Sequence, residues 1–525
     1  MVNKAGTYTL TDDVTFYRLS VSAGGCIFNF GNHKMTTKAP DGKYCFSVAA
    51  ADAQTIFSGG KFDLSGTGYF QPASAQNVVT IFTNGCIVTN ANYFYATRYN
   101  GGSRTEIANG AKIFANKTYV MYEAGAVDNV LDIHDGGHLY ADGLIYTDNA
   151  GSGEYGGAKL VVRGSGSVFR QVTDSTPAYL GYQRHSNLFR ISDGAVASSA
   201  NGGVCVGWNA NATNNCLLVE NGATASFPKI WCRSANNTIL VSNATLTCSE
   251  DFNLAYDQIS ATNNLFRAYG SDTVLNLHGD LFGSRTNRSN TVSFEGGVNW
   301  SGGNRSRMMA RTHDSTFRII GSGTVVGDTN SWFFMGDKDV VATVSSVSNR
   351  LVIADGATLK ASWLAIMGKG NELCVSNGTI HLGDGNGLRV GYRPSGSDST
   401  NCLLVLRGTT PKIKNDGVGY NNVFTHGSTL RFEIPREGYA QGYIPFETAG
   451  QFVFGNGNPR LEVACDEFVA HTGGKLHLVH AESIDAATAE RLKACSLPER
   501  CSIVVEGGDV YLKSPRRDGF IISFH

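Results

Sequence analysis

Asn349-Arg-Leu351-Val-Ile353-Ala-Asp355-Gly356-Ala357 is one copy of a phrase that returns along the chain. Another reads Asn187-Leu-Phe189-Arg-Ile191-Ser-Asp193-Gly194-Ala195. Shorter matches begin at Asn215 (Leu217, Val219, Asn221, Gly222), Asn371 (Leu373, Val375, Asn377, Gly378) and Asn237 (Ile239, Val241, Asn243). The internal period is two. Leu351 and Ile353 point one way while Arg350, Val352 and Ala354 point the other, as in a β-strand. The Asn/Asp-Gly pair that follows tolerates positive φ and turns the strand through a corner. A second apolar strand ending in Gly comes next, as in Val204-Cys205-Val206-Gly207 and Leu388-Arg-Val390-Gly391. One such unit cannot bury its apolar face alone, so it must stack on its neighbours.

The phrase starts at positions 129, 158, 187, 215, 237, 264, 290, 315, 349, 371 and 401. The mean spacing is about 27 residues, scattered between roughly 22 and 34, which suits coils with variable loops. Weaker copies lie upstream at 105–111 and 79–85. The expected fold is all-β: a parallel, right-handed β-helix or solenoid with a small C-terminal α+β capping module. The expected boundaries are an N-terminal cap and first strands over 1–50, the β-helix over 51–435, and the C-terminal module over 436–525. Strands at 6–10 and 14–16 are expected to shield the first coil. In the C-terminal module a helix is predicted over 483–495, with Ser483 as N-cap and Pro498 beyond its end. Strands are expected around it at 475–479, 501–505 and 509–512. Stacked coils place equivalent residues about 4.8 Å apart. Asn215, Asn237, Asn264, Asn371 and Asn401 are therefore expected to form a ladder of side-chain amides.

Composition agrees with this architecture. The 63 Gly against 11 Pro, with 42% hydrophobic and 17% charged residues, fit many tight turns between short apolar strands and not a disordered chain. A formal net charge of −1 supplies no field for nucleic acid or an anionic membrane, and the densest basic group is Arg305, Arg307 and Arg311. No apolar run reaches the length of about 20 residues that a transmembrane helix needs. The opening ten residues lack the apolar core of a secretory signal. A signal upstream in a longer precursor, a fragment, or another export route are the options. The twelve cysteines form no Cys-x-x-Cys, and Cys216, Cys374 and Cys402 fall within the phrase. They read as small packed hydrophobes, with Cys495–Cys501 and Cys26–Cys45 left open as pairings.

The phrases Asn-x-Leu-x-Val-x-Asn-Gly-Ala and Val-Gly-x-Asn (Val206 to Asn209), over about 77–435, resemble the β-helical passenger regions of autotransporter-type bacterial surface proteins. They are similar to autotransporter-associated β-strand repeats. The resemblance implies an extracellular or cell-surface β-solenoid serving as structural scaffold, adhesin or assembly subunit. It also implies a polysaccharide or a host or cell-surface ligand as partner, and self-association. The family's membrane β-barrel is not matched here; residues 519–525 resemble a last barrel strand only superficially.

The alternative class is a β-helical polysaccharide-degrading enzyme or phage tail-spike depolymerase. Glycoside hydrolysis requires two carboxylates flanking the bond. The densest candidate stretch is Leu131-Asp132-Ile133-His134-Asp135-Gly136-Gly137-His138. Asp132 and His134 share the outward face, and His138 lies past the turn. Solvated outer positions beside an Asp-Gly corner account for them, so no catalytic residue is assigned. His278-Gly-Asp280 reads as a corner too. The run Gly383 to Gly387 lacks the Lys of a phosphate loop and reads as a turn. No metal ligand or cofactor is assigned. Aromatic clusters at Tyr93, Phe94, Tyr95 and Tyr99, at Trp332, Phe333 and Phe334, and at Tyr439 and Tyr443 are the better lead. Tyr93, Tyr95 and Trp332 are candidates for stacking on a sugar ring or partner, although alternation turns part of each set inward and favours packing.

Overall fold

The computed structural model describes residues 1–40, 42–64, 68–98, 101–122, 127–143, 145–148, 156–173, 175–255, 261–278, 287–301, 306–308, 312–336, 346–392, 399–419, 421–465, 474–495, 497–498 and 501–514. Tyr99, Asp280, Arg305, Arg311 and the ending 519–525, singled out in the sequence, lie outside them. Among the described residues strands take up 57% and helix 2%. The chain divides into two compact units, 1–267 with 272–278, and 268–271 with 279–525.

In the first unit each phrase forms a strand that pairs in parallel with its counterpart on the neighbouring coil. Leu188–Ser192, Cys216–Glu220 and Thr238–Ser242 are successive examples. The period-two pattern then sorts side chains into inward columns. Leu131, Leu160, Phe189, Leu217 and Ile239 form one; Ile133, Val162, Ile191, Val219 and Val241 form the next; all are buried. At the corner both residues adopt positive φ: Asp193 and Gly194 at 58° and 79°, Asn221 and Gly222 at 52° and 74°. Asn and Asp tolerate that region and Gly favours it, which is why the phrase ends as it does. A second sheet follows, with Leu139, Phe169, Ala197, Ala225 and Leu246 as its inward column. A third sheet stacks Ile145, Ala178, Val204 and Ile230. Three sheets per coil around one apolar interior make a parallel β-solenoid. Gly6–Thr9, Val14–Phe16 and Leu19–Val21 pair in parallel with Cys26–Thr37 and Tyr44–Val48, so they continue the coil pattern to the start of the chain.

The second unit repeats the plan. Val292, Phe317, Leu351, Leu373, Leu404, Leu430 and Leu461 stack in the first sheet. Trp300, Val326, Leu359, Ile380, Ile413, Phe446 and Val479 stack in the second. Gly474–Ser483 then changes the pattern. It pairs in parallel with Phe446–Phe454 on one side and antiparallel with Asp509–Ser514 on the other, and Ser502–Glu506 adds a further antiparallel strand.

The helix spans Ala486–Lys493 and is capped by Asp485, whose side chain accepts from the Thr488 N–H at 2.6 Å. This corrects the expected cap at Ser483, whose backbone is taken by the sheet, paired with Gln451. The helix and the residue Cys495 beyond it satisfy backbone groups of the strands they cover. Thr488 Oγ1 accepts from Phe454 N at 3.1 Å, Cys495 Sγ from Leu461 N at 3.3 Å, and Arg491 donates to the carbonyls of Phe454 and Gly455. An open strand edge invites association, and these side chains occupy it.

The amide ladder runs through each unit. In the first, Asn215 Oδ1 accepts from the Asn187 N–H at 3.0 Å, Asn237 Oδ1 from Asn215 N at 3.0 Å, and Asn264 Oδ1 from Asn237 N at 2.8 Å. In the second, Asn349 Oδ1 accepts from Ser315 N at 2.9 Å and Asn371 Oδ1 from Asn349 N at 2.8 Å. Asn401 is the exception. It is exposed with φ 54°, and Cys402 stands at the ladder position opposite Asn371. Leu403, Leu404, Val405 and Leu406 are four apolar residues in a row, so alternation does not define their face, and the register is shifted by one from the expected phrase. Among the described residues, no helix is long and apolar enough to cross a membrane.

Candidate functional site

The parallel strands Arg104–Ile107, Val130–Ile133 and Lys159–Arg163 place Glu106, Asp132 and Val161 in one outward column. Asp132 is nevertheless only 2% exposed. Arg163 covers it, donating from Nε to Oδ1 at 3.1 Å and from Nη2 to Oδ2 at 3.0 Å, and Arg104 donates to the same Oδ2. The hydrogen bond to Asp132 in turn raises the Arg163 pKa, fixing its charge. A carboxylate clamped between two guanidiniums offers its lone pairs to them and not to a substrate proton. His134 holds Nε2 3.3 Å from Glu106 Oε2 and Nδ1 2.8 Å from Asp135 Oδ2. His138, on His138–Ala141, has Nδ1 2.9 Å from the Tyr140 hydroxyl. Burial, reinforced by the Lys112 ammonium, pushes the His138 imidazole below its ordinary pKa. Arg104 also meets Glu106 at 2.8 Å, so Asp132 and His134 are linked through Arg104 and Glu106 in one charge network, while His138 has a partner of its own.

Outward charges elsewhere follow the same habit of pairing from coil to coil. Arg190 meets Glu220 at 2.6 Å in the first unit, and Arg350 meets Glu372 at 3.0 Å in the second.

The aromatic candidates form an outer layer on the third sheet. Tyr95, Tyr119, Tyr146 and Tyr179 occupy successive outward positions, with ring centroids 5.0, 5.3 and 5.1 Å apart. That spacing is the strand repeat itself. Tyr122 packs edge-on against Tyr95 and Tyr119, and Tyr182 against Tyr146 and Tyr179. The Arg98 guanidinium lies 5.3 Å from the Tyr95 ring. Alternation turns Tyr95 outward, but these neighbours leave it only 3% exposed, which removes it as a sugar platform. The same burial drives the Tyr95, Tyr119 and Tyr179 phenols far above their usual pKa. Tyr93 is half-buried, edge-on to Tyr69 at 5.1 Å, with the Lys117 ammonium 4.9 Å from its ring. In the second unit Trp332 is half-buried against Trp363 at 5.5 Å and Phe334 at 6.3 Å, and the Arg389 guanidinium lies 4.9 Å from Tyr392. Tyr439 is buried and Tyr443 half-buried beside it.

Two groups of chemically able residues carry no sequence signal. Asp148 is fully buried, accepting from Gln183 N at 2.9 Å and from the ladder residue Asn187 Nδ2 at 2.7 Å. Burial pushes its carboxyl up to about 6, against the opposing pull of those bonds and of the Arg184 charge. Its position at the end of Ile145–Asp148 reads from sequence as a loop edge. His477, His480 and Asp509 come together in the C-terminal strands as groups able to hold a metal ion. Two histidines three apart are visible in the sequence, but in a regular strand that spacing puts them on opposite faces.

All twelve cysteines are free, so neither pairing left open in the sequence is formed. Burial pushes Cys45 up to about 11 and Cys86 and Cys205 up to about 12, which keeps them as thiols and poor nucleophiles. A cavity of about 510 Å³ lies beside the helix of the second unit, lined by Arg460, Glu462, Arg491 and Cys495 among others, and contains none of the sequence candidates. No protein-family model matches the chain, and no curated protein matches its sequence at a significant level.

Proposed function

We propose that this chain is a non-catalytic β-solenoid of the bacterial cell surface or extracellular space, a scaffold that displays loops, adheres or assembles, as the autotransporter-like repeat phrase suggests. The observation that carries this reading is the state of Asp132. The acid best placed by sequence for hydrolysis is sealed between Arg104 and Arg163. A glycosidase needs carboxyls able to reach the sugar, and this clamp holds Asp132 away from one. The stacked outer tyrosines support the same view, because they spend their faces on one another. Polysaccharide or a cell-surface glycan is the proposed partner class, met through loops and the half-buried Tyr93 and Trp332. The test is a panel of polysaccharides presented to the purified protein and scored for both retention and cleavage. Retention without cleavage is expected. Cleavage that vanishes in Asp132→Asn, with the β-sheet circular dichroism unchanged, would replace this reading with the depolymerase.

A further inference from the structure

We propose that His477, His480 and Asp509 form a binding site for a divalent first-row transition-metal ion. His477 and His480 both belong to the strand Gly474–Ser483, three residues apart. The pairing with Asp509–Ser514 slips between His477 and Val479, so Leu478 is an extra residue in the strand. One inserted residue reverses the alternation locally, and the two imidazoles arrive on the same face. The antiparallel neighbour completes the group: Asp509 lies opposite His480, and Tyr511 lies opposite His477.

The geometry suits coordination. Asp509 Oδ1 is 2.7 Å from His480 Nδ1 and 2.9 Å from His477 Nε2. Metal–nitrogen and metal–oxygen bonds of about 2.0–2.2 Å hold neighbouring ligand atoms about 3 Å apart, so a chelate forms once His477 Nε2 exchanges its contact with the Val479 carbonyl, 3.0 Å away, for the ion. The Tyr511 ring stacks on His477 at 4.5 Å and 29°, fixing the plane of that imidazole. His480 is 54% exposed, so the remaining coordination positions face solvent. Two imidazoles and one carboxylate favour zinc, cobalt, nickel or iron(II) over calcium or magnesium, which take oxygen ligands. With the ion bound, each imidazole carries its proton on the other ring nitrogen, Nδ1 of His477 and Nε2 of His480.

The test uses the full chain, stripped with a chelator and titrated with Zn²⁺ by calorimetry and with Co²⁺ by absorption. One equivalent is expected, with cobalt d–d bands and no thiolate-to-cobalt charge transfer. His480→Ala and Asp509→Asn are each expected to weaken zinc binding by more than about 100-fold, beyond the loss that outer-sphere changes cause. His33→Ala, in the first unit, is the control and leaves binding intact. Circular dichroism and proteolysis establish that each variant is folded. The exposed His480 makes its substitution the safer of the two, and one folded variant is enough to decide. No saturable uptake at millimolar zinc, a thiolate charge-transfer band, or undiminished affinity in either folded variant would overturn the site.

Discussion

Replacing Asn371 by Ala, beside the same change at Asn401, tests the ladder where sequence and structure disagree. Asn371 Oδ1 accepts from the Asn349 backbone N–H at 2.8 Å and from Asn349 Nδ2 at 3.2 Å. Its own Nδ2 donates to Ser346 Oγ at 3.0 Å and to the Met367 carbonyl. Both Asn349 and Asn371 are buried. Asn371→Ala therefore strands one backbone N–H and weakens the bonding of one carbonyl where water cannot replace the lost partner. Orphaned buried groups cost about 1–3 kcal/mol each, so one orphan and one weakened carbonyl put the expected loss at about 2–4 kcal/mol. Asn401 is exposed with φ 54°, and its change to Ala adds only the cost of a left-handed Ala, about 1 kcal/mol. Asn401→Gly should cost nothing, since Gly accepts that backbone. Solenoids can unfold in segments, so the urea midpoint of the whole chain is read together with hydrogen exchange at the Leu373 amide. Equal losses for Asn371→Ala and Asn401→Ala, in midpoint and in exchange, would refute the idea that the buried amide column holds the coils in register.

Asp148 predicts a pH dependence. Burial raises its folded pKa to about 6 from the ordinary 3.8, so the folded state binds this proton more tightly than the unfolded chain. The resulting stabilisation is complete below about pH 4 and is lost as pH rises through about 6, a change of about 3 kcal/mol. Asp148→Asn is expected to flatten the slope of stability between pH 4 and 7, and an unchanged slope in denaturation curves would rule out this assignment. Thr488→Val removes the acceptor for the buried Phe454 N–H. A loss of about 1–3 kcal/mol is expected locally, read as faster exchange at the Phe454 amide and earlier proteolysis near the helix. Exchange that matches the unmodified protein would show that the helix does not seal this edge.

The coil and its interior were legible because they rest on a period the sequence states many times. Leu217, Leu351 and Leu373 are inward and fully buried, each at the alternate position of a phrase flanked by polar residues. Where polar punctuation fails, so does the reading. Leu403 to Leu406 are followed by Arg407-Gly408 and not by an Asn/Asp-Gly corner, and the ladder position moves from Asn401 to Cys402. The fate of outward residues was not legible for a different reason. Alternation assigns Asp132 and Tyr95 to the outer face, but what covers them comes from other coils or from loops: Arg104, Arg163 and Tyr122. Their separations match the coil spacing, but the phrase does not state which residue types stand at those outward positions, so the coverage is not written in the repeat. The helix was placed within a few residues, yet its cap moved from Ser483 to Asp485, because strand pairing of Ser483 is a tertiary fact.

A parallel solenoid leaves little room for chemistry on its faces. Within each unit most described strands sit in register on the next coil, so an outward polar residue there finds a neighbour about 4.8 Å above or below it. Arg190 with Glu220, Arg350 with Glu372 and the Arg104–Asp132–Arg163 cluster show where that leads: charges satisfied by the stack itself. A site with unspent ligand capacity is then expected where the register breaks. In the second unit it slips between Ala361 and Trp363, and it changes direction at Gly474–Ser483, parallel to its predecessor, antiparallel to Asp509–Ser514, and bulged at Leu478. His477, His480 and Asp509 meet at that break, with His477 and Asp509 at positions outside the parallel register with Phe446–Phe454. Regular coils also gather unlike side chains, as Arg104, Asp132 and Arg163 show, but they pair them off, whereas the bulge at Leu478 brings two imidazoles to one carboxylate.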